Sequence, residues 1–218
     1  MILLYLGFLV QLLSALIGIF KRKTIENKGL KFFPIFLLIQ FFNVLASSLY
    51  VRVFHLGRNL WMYNLYMLFD MACFAYLFYH ILEKQKFKKT IIYLLISFYA
   101  FYIVDKFFLQ NNGEYLTYAR SLMGFNLVVF SLLYFFNLFD FTKPEENLTS
   151  KADFWIVISI FFFYLTSTIV MSLTNYVSSF KFNEMIKFYN PDTMKYFALA
   201  LYSFYIVGFL CHKPVKKL

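Results

Sequence analysis

The chain has 218 residues, 61% of them hydrophobic and 24% aromatic, with only 15% charged. Soluble domains carry about 25% charged residues, so there is too little polar surface here to coat a particle in water, and the solvent for most of the chain is a bilayer. The formal net charge of +10 sits on Lys and Arg placed between apolar segments. It therefore reports topology; no RNA- or DNA-binding module accompanies it, and no nucleic-acid partner is expected.

The aromatic excess has a mundane source. Of the 21 basic residues only Arg22, Arg52, Arg58 and Arg120 are arginine, and Phe, Tyr, Ile, Asn and Lys in excess together match the codon bias of an AT-rich genome. The 32 Phe and 18 Tyr are not read as an aromatic ligand cage. Cys73 and Cys211 both fall in apolar runs, where cysteine behaves as a small apolar residue, and no disulfide framework or metal spacing can be built from them.

A helix needs about 20 mainly apolar residues to cross the hydrocarbon. Seven segments qualify, at 2–20, 32–54, 60–82, 90–109, 116–139, 154–177 and 194–212, and short polar connections join them into a single transmembrane domain over 1–218. The expected fold is all-α, a polytopic membrane helix bundle of about seven transmembrane helices. The first segment lacks basic residues before its apolar run and has Lys21, Arg22 and Lys23 after it, the wrong polarity for a secretory signal, so it is read as a retained helix. Ser14 and Gly18, with Gly7 one heptad before Ser14, mark a small-residue packing seam in that helix, and Asn43 and Ser47 do the same in the second.

The third segment carries Asp70 near its middle. At about 100° per residue, Tyr63, Tyr66, Asp70 and Cys73 share one face. Ionisable residues inside a span are costly and are functional hypotheses by default. Gln11 and Asn43 lie at similar depth in the first two spans, as do Thr166, Ser167 and Thr168 in the sixth. Arg52, Asp105, Lys106, Arg120, Asn126 and Asn175 lie in the half of the membrane toward the second, fourth and sixth connections. The candidate ligand or proton site is Asp70 with Tyr63, Tyr66, Asn64, Asn43, Arg52, Arg120 and Asn126, a cavity with Asp70 at its floor and an arginine on its wall. The competing reading of the same side chains is polar glue between helices.

Ser150, with Asp153 three residues on, approximates a capping box for the sixth helix. Phe182, Met185, Ile186 and Tyr189 recur at helical spacing in the last outer connection, as in an interfacial amphipathic helix. Asn190-Pro191-Asp192 places a cap residue before a proline at the entry to the seventh.

Orientation follows from the Lys/Arg asymmetry of short loops. The first, third and fifth connections and the tail hold Lys21, Arg22, Lys23, Lys28, Lys31, Lys84, Lys86, Lys88, Lys89, Lys143, Lys151, Lys213, Lys216 and Lys217. The opposite side and its flanks hold Arg52, Arg58, Lys106, Arg120, Lys181, Lys187 and Lys195, half as many. This puts the N-terminus outside and the C-terminus in the cytoplasm, and a bacterial inner membrane is the expected location. The basic face also attracts anionic headgroups, so membrane lipid is an expected partner.

The motifs of several enzymes are missing. There is no His-Glu-x-x-His, no Gly-x-Ser-x-Gly and no phosphate-binding glycine loop, and the seventh span has no central lysine to hold retinal as a Schiff base. No enzymatic activity, cofactor or metal is expected.

The run Asn59-Leu-Trp-Met-Tyr-Asn-Leu-Tyr-Met-Leu-Phe-Asp70 resembles a pattern in small seven-helix membrane proteins of Bacteroidetes. There an Asn precedes an apolar-aromatic-(His/Asn)-apolar-Tyr run that ends in an acid. The short start, the basic first connection after Gly18-Ile-Phe and the overall length are also similar to that group. Regions like these occur fused to histidine kinases as sensory input, so the resemblance implies a sensory role, with Asn59, Asn64 and Asp70 matching the motif. Asp70 stands where the pattern has Glu, and no kinase region follows the seventh span. The expected function is thus a sensory or receptor-like component acting through a separate signalling partner. An accessory subunit of a membrane assembly and a small-solute transporter are the alternatives. A transporter fits less well because no internal repeat is evident and none of the four prolines falls in mid-span. Oligomeric state is not legible.

Overall fold

A computed structural model describes residues 2–53, 59–110, 115–138, 148–179 and 191–212. Among these, seven α-helices and no strands are found: α1 Ile2–Lys21, α2 Lys28–Arg52, α3 Leu60–Ile81, α4 Gln85–Val104, α5 Thr117–Leu138, α6 Ala152–Ser179 and α7 Pro191–Cys211. A π-helical turn, Asp105–Leu109, continues α4, and a 3₁₀ turn, Leu148–Ser150, leads into α6. Each helix packs on its sequence neighbours, α7 closes against α1, and α3 also reaches α5. The result is a closed ring in chain order, with α1, α3, α5 and α7 starting at one end and α2, α4 and α6 at the other.

Five helical stretches are long and apolar enough to cross a membrane: Lys28–Val51, Gln85–Leu109, Thr117–Leu138, Ala152–Val170 and Met194–Cys211. In α1 the qualifying stretch is a shorter one, Tyr5–Lys21. Helix α3 has the length, but Asn64, Asp70, His80 and four tyrosines lower its mean hydropathy. Its buried face carries Met67, Met71, Phe74 and Phe78, while Trp61, Leu65 and Phe69 are exposed on the other. The remaining helices likewise turn large apolar side chains outward, among them Leu9, Phe42, Tyr93, Phe125, Phe162 and Phe204. In water that arrangement would leave apolar patches far larger than a soluble monomer tolerates.

The core is aromatic. Phe33 and Phe36 of α2, Phe74 of α3 and Tyr205 and Phe209 of α7 interlock, with ring centroids 5.0 Å apart for Phe33–Tyr205 and 5.2 Å for Phe36–Phe74. The Phe74 ring also meets Tyr164 of α6 at 5.7 Å, so one cluster joins four helices.

The small-residue seam in α1 is present at Gly18, where an added Cβ would stand 2.7 Å from Pro34 and 2.8 Å from Phe209. Gly7 takes no part, since nothing lies within 4 Å of such a Cβ. Pro34 lies inside α2, not at its edge as the apolar run suggests. That helix begins four residues earlier, at Lys28, where the Asn27 carboxamide oxygen accepts from the Gly29 and Leu30 amides at 2.8 and 3.2 Å. The amide group of Asn27 donates to the His80 carbonyl at 2.7 Å, tying the start of α2 to the end of α3. The entry to α6 also differs from expectation. Ser150 ends the 3₁₀ turn and the helix starts at Ala152, while the Asp153 carboxylate accepts from the adjacent Phe154 amide. Pro191 does open α7. The amphipathic pattern of Phe182, Met185, Ile186 and Tyr189 lies outside the described residues.

Candidate functional site

Among the described residues two carboxylates are buried within apolar helices, Asp70 and Asp105, and their surroundings contrast. Asp105 stands on the π turn and is fully buried. Its Oδ2 accepts from the Ala119 amide at 2.8 Å, in the first turn of α5, where backbone N–H groups have no intrahelical acceptor. Asn64 Oδ1 accepts from the Leu116 amide at 3.1 Å. Gln110 accepts from the Thr117 amide at 3.0 Å and donates to the Thr117 hydroxyl at 2.7 Å. Three side chains from α3 and the end of α4 thus fix the start of α5. The π turn, closed by Gln110 N–H to Asp105 carbonyl at 3.0 Å, presents the Asp105 carboxylate to it.

The fixed turn carries Arg120. Its guanidinium carbon lies 5.6 Å from the centre of the Tyr164 ring, within cation–π range, and one of its nitrogens donates to the Met123 sulfur at 3.5 Å. The side chain as a whole is half-buried. Arg120 is an electrostatic neighbour of Asp70 and Tyr115 and is placed to donate to the Tyr164 hydroxyl. Asp70, 5% exposed, has Arg120 and Tyr66 as its charged and polar neighbours. From α7, Tyr202 and Tyr205 feel the same carboxylate.

These groups share a region without consuming one another. Asp70 Oδ1 and the Tyr205 hydroxyl are buried without hydrogen-bond partners, so Arg120 does not close an ion pair on that Asp70 oxygen; the Tyr66 hydroxyl makes no close hydrogen bond either, but it is the group placed to reach the Asp70 carboxylate. Native structures pair nearly all such groups, and leaving one unpaired costs about 1–3 kcal/mol, more for a charge.

Of the residues singled out by sequence, the structure therefore brings together Asp70, Tyr66 and Arg120. Tyr63, two turns from Asp70 on the same helix, is half-buried, as is Asn43 on α2. The Arg52 side chain is outside the described residues. Asn64 and Asn126 hold helices together: Asn126 donates to the Leu94 carbonyl of α4 at 3.3 Å, and the Tyr102 hydroxyl donates to the Asn64 carbonyl at 3.2 Å. Asn59 donates to the carbonyl and hydroxyl of Ser47, so that motif asparagine joins α2 to α3. Sequence reading misses Tyr164, Tyr202 and Tyr205; in a chain with 18 tyrosines no local signal distinguishes them. Among the described residues no cluster of His, Cys, Asp and Glu is arranged to hold a metal.

Comparison with protein-family models, with curated proteins and with solved structures finds no match to this chain.

Proposed function

We propose that the chain is a seven-span protein of a bacterial cytoplasmic membrane, N-terminus outside, that works as a sensory or receptor-like component. It would bind a small ligand among Asp70, Arg120 and the surrounding tyrosines and signal through a separate protein. The carrying observation is that the buried Asp70 carboxylate, its Oδ1 unpartnered, is an electrostatic neighbour of the half-buried Arg120 guanidinium of another helix and of Tyr205, whose buried hydroxyl is unpartnered too. Support for counting α1 and α3 as spans comes from their outward faces, where Leu9 and Leu13 of α1 and Leu65 of α3 are exposed as they would be to lipid. The ring geometry suits a receptor: a ligand touching α3, α5, α6 and α7 can shift their packing. That shift reaches the basic end through the α2–α3 corner at Asn27.

A second reading, an accessory subunit of a membrane assembly, is favoured by one feature. A shallow apolar groove between α6 and α7, lined by Phe162, Phe197, Phe204 and Leu201, would seat a partner helix. The two readings separate in the native host. Transcript profiles of a deletion strain complemented with wild type or with Asp70→Asn, at matched membrane abundance, should differ if the site senses a ligand, the variant resembling the deletion. A variant indistinguishable from wild type would remove the receptor reading.

A further inference from the structure

We propose that the corner between the start of α2, the end of α3 and the start of α4 binds an anionic phospholipid, its phosphate held between Lys28 and Lys88 and an acyl chain laid along the outward strip of α3. The site is separate from Asp70 and stands whether or not Asp70 binds a ligand.

Two lysines from different helices are brought to the last turn of α3. The Lys88 ammonium of α4 lies 5.2 Å from the centre of the Tyr79 ring. Lys28 of α2 stands between Asn27 and Gly29, and both of these touch His80, the next residue of α3. The Asn27 amide group donates to the His80 carbonyl at 2.7 Å, and a Cβ on Gly29 would stand 2.9 Å from the His80 Cβ. The surrounding charge is one-sided: residues 21–31 hold five basic side chains and one acid, Glu26, and residues 83–89 hold four and one, Glu83. Lys28 and Lys88 stand four and two residues before the apolar runs at 32 and 90. That is about 6 and 3 Å along a helix, the depth of lipid headgroups, where lysines attract anionic lipid. Lysine binds phosphate as a point charge, and the half-buried His80 imidazole adds an N–H donor.

Apolar surface continues directly from the lysines. The Tyr76 ring meets the His80 ring at 4.5 Å, and Tyr76 and Phe69, two turns apart on one side of α3, are both exposed, with the small, half-buried Ala72 between them. Phe32 of α2 packs edge-on against Tyr76 at 5.2 Å, and Ile92, one turn along α4 from Lys88, is exposed. Helix α3 contacts α5 as well as α2 and α4, so it is drawn inward and its outward strip lies between the two flanking helices. An acidic protein segment or a free phosphate would gain from the lysines and leave this strip unused. A phospholipid meets both, its phosphate at the polar margin and its chain along the apolar strip.

The test uses the full chain in mild detergent, with adducts counted by native mass spectrometry against three probes: dioleoylphosphatidylglycerol, dioleoylphosphatidylcholine and glycerol 3-phosphate. One tightly held phosphatidylglycerol is expected, with phosphatidylcholine at least about fivefold weaker and no adduct of glycerol 3-phosphate. Lys28→Gln combined with Lys88→Gln should weaken the phosphatidylglycerol adduct at least about fivefold, a monodisperse elution peak checking that the protein still folds, whereas Lys28→Arg combined with Lys88→Arg keeps the charge and should retain it. Arg22→Gln combined with Lys23→Gln removes the same charge from the end of α1 and should weaken the adduct less than about twofold. Equal losses for the two glutamine pairs would overturn the site and leave only the general attraction of a basic rim. Equal binding of phosphatidylcholine would overturn recognition of the anionic headgroup, and glycerol 3-phosphate bound as tightly as the lipid would replace the lipid site by an anion site. No adduct with any probe would overturn the proposal outright.

Discussion

The corner where α2 begins and α3 ends offers the sharpest quantitative check of the architecture, because it lies at the polar end of the bundle where magnitudes measured in water apply. Asn27 makes three contacts there. Its oxygen caps the Gly29 and Leu30 amides, and its amide group donates to the His80 carbonyl. Replacing a good N-cap by alanine costs about 1 kcal/mol, and losing one interhelical hydrogen bond about 1 kcal/mol more. For a chain of this size that total of about 2 kcal/mol lowers the melting temperature by roughly 4–8 °C. Asn27→Ala should show that loss when the monodisperse fraction is followed by size-exclusion chromatography after heating in detergent. Asn27→Asp keeps the cap and adds a favourable charge at a helix N-terminus but cannot donate to His80, so it should lose about half as much. Gly29→Ala should be worse than either, since its Cβ would stand 2.9 Å from the Leu77 carbonyl oxygen, a backbone atom that cannot rotate aside. An Asn27→Asp protein as unstable as Asn27→Ala would show that the cap contributes nothing. Wild-type melting for Asn27→Ala would refute the corner altogether.

Two other close approaches give paired predictions. Gly18→Ala, which drives a methyl into Pro34 and Phe209, should destabilise the protein by about 1–3 kcal/mol, as overpacking does, whereas Gly7→Ala should leave the melting temperature unchanged or slightly raised, the same chromatographic assay reading both. Gly124→Ala drives its Cβ into the Thr168 hydroxyl oxygen and should destabilise similarly; combining it with Thr168→Ala removes the obstructing atom and should restore most of the loss, so an additive double mutant would argue against the close α5–α6 approach.

How much of this can be read from the sequence depends on the distance over which each feature is determined. The helices are legible because a run of apolar residues is a local signal, and all seven described helices fall on the expected segments. Their starts are less so. Helices α2, α4 and α7 begin at Lys28, Gln85 and Pro191, three to five residues before the apolar runs at 32, 90 and 194, because apolar content reports the edge of the hydrocarbon whereas the helix continues into the polar margin. Asp70 and Arg120 stand out as charges within apolar runs. Asn64 and Asn126 stand out equally, but their partners, the Leu116 amide and the Leu94 carbonyl, belong to distant parts of the chain and leave no trace near them in sequence. The tyrosines around Asp70 are hidden for the opposite reason: the chain is so rich in them that composition carries no information about any one.

The two buried acids show how satisfaction of polar groups sorts structure from function in such a bundle. Both stand in apolar helices, both leave Oδ1 without a partner, and burial alone would rank Asp105 above Asp70. Asp105, however, gives its other oxygen to the Ala119 amide, and a charged acceptor of this kind contributes about 1.5–3 kcal/mol. Asp70 ties no backbone group in this way, and its Oδ1 makes no close hydrogen bond. Removing each charge should therefore have opposite consequences. Asp105→Ala should lower the melting temperature, by roughly 3–12 °C for a loss of about 1.5–3 kcal/mol, because it orphans an amide at the turn that aims Arg120. Asp70→Asn should leave the temperature at or above that of wild type, because it removes a buried charge whose desolvation is not repaid in the unliganded fold. A destabilised Asp70→Asn protein would mean that the carboxylate is a structural tie after all. A protein that is stable and unresponsive would mean that the fold tolerates Asp70 for the sake of what binds to it.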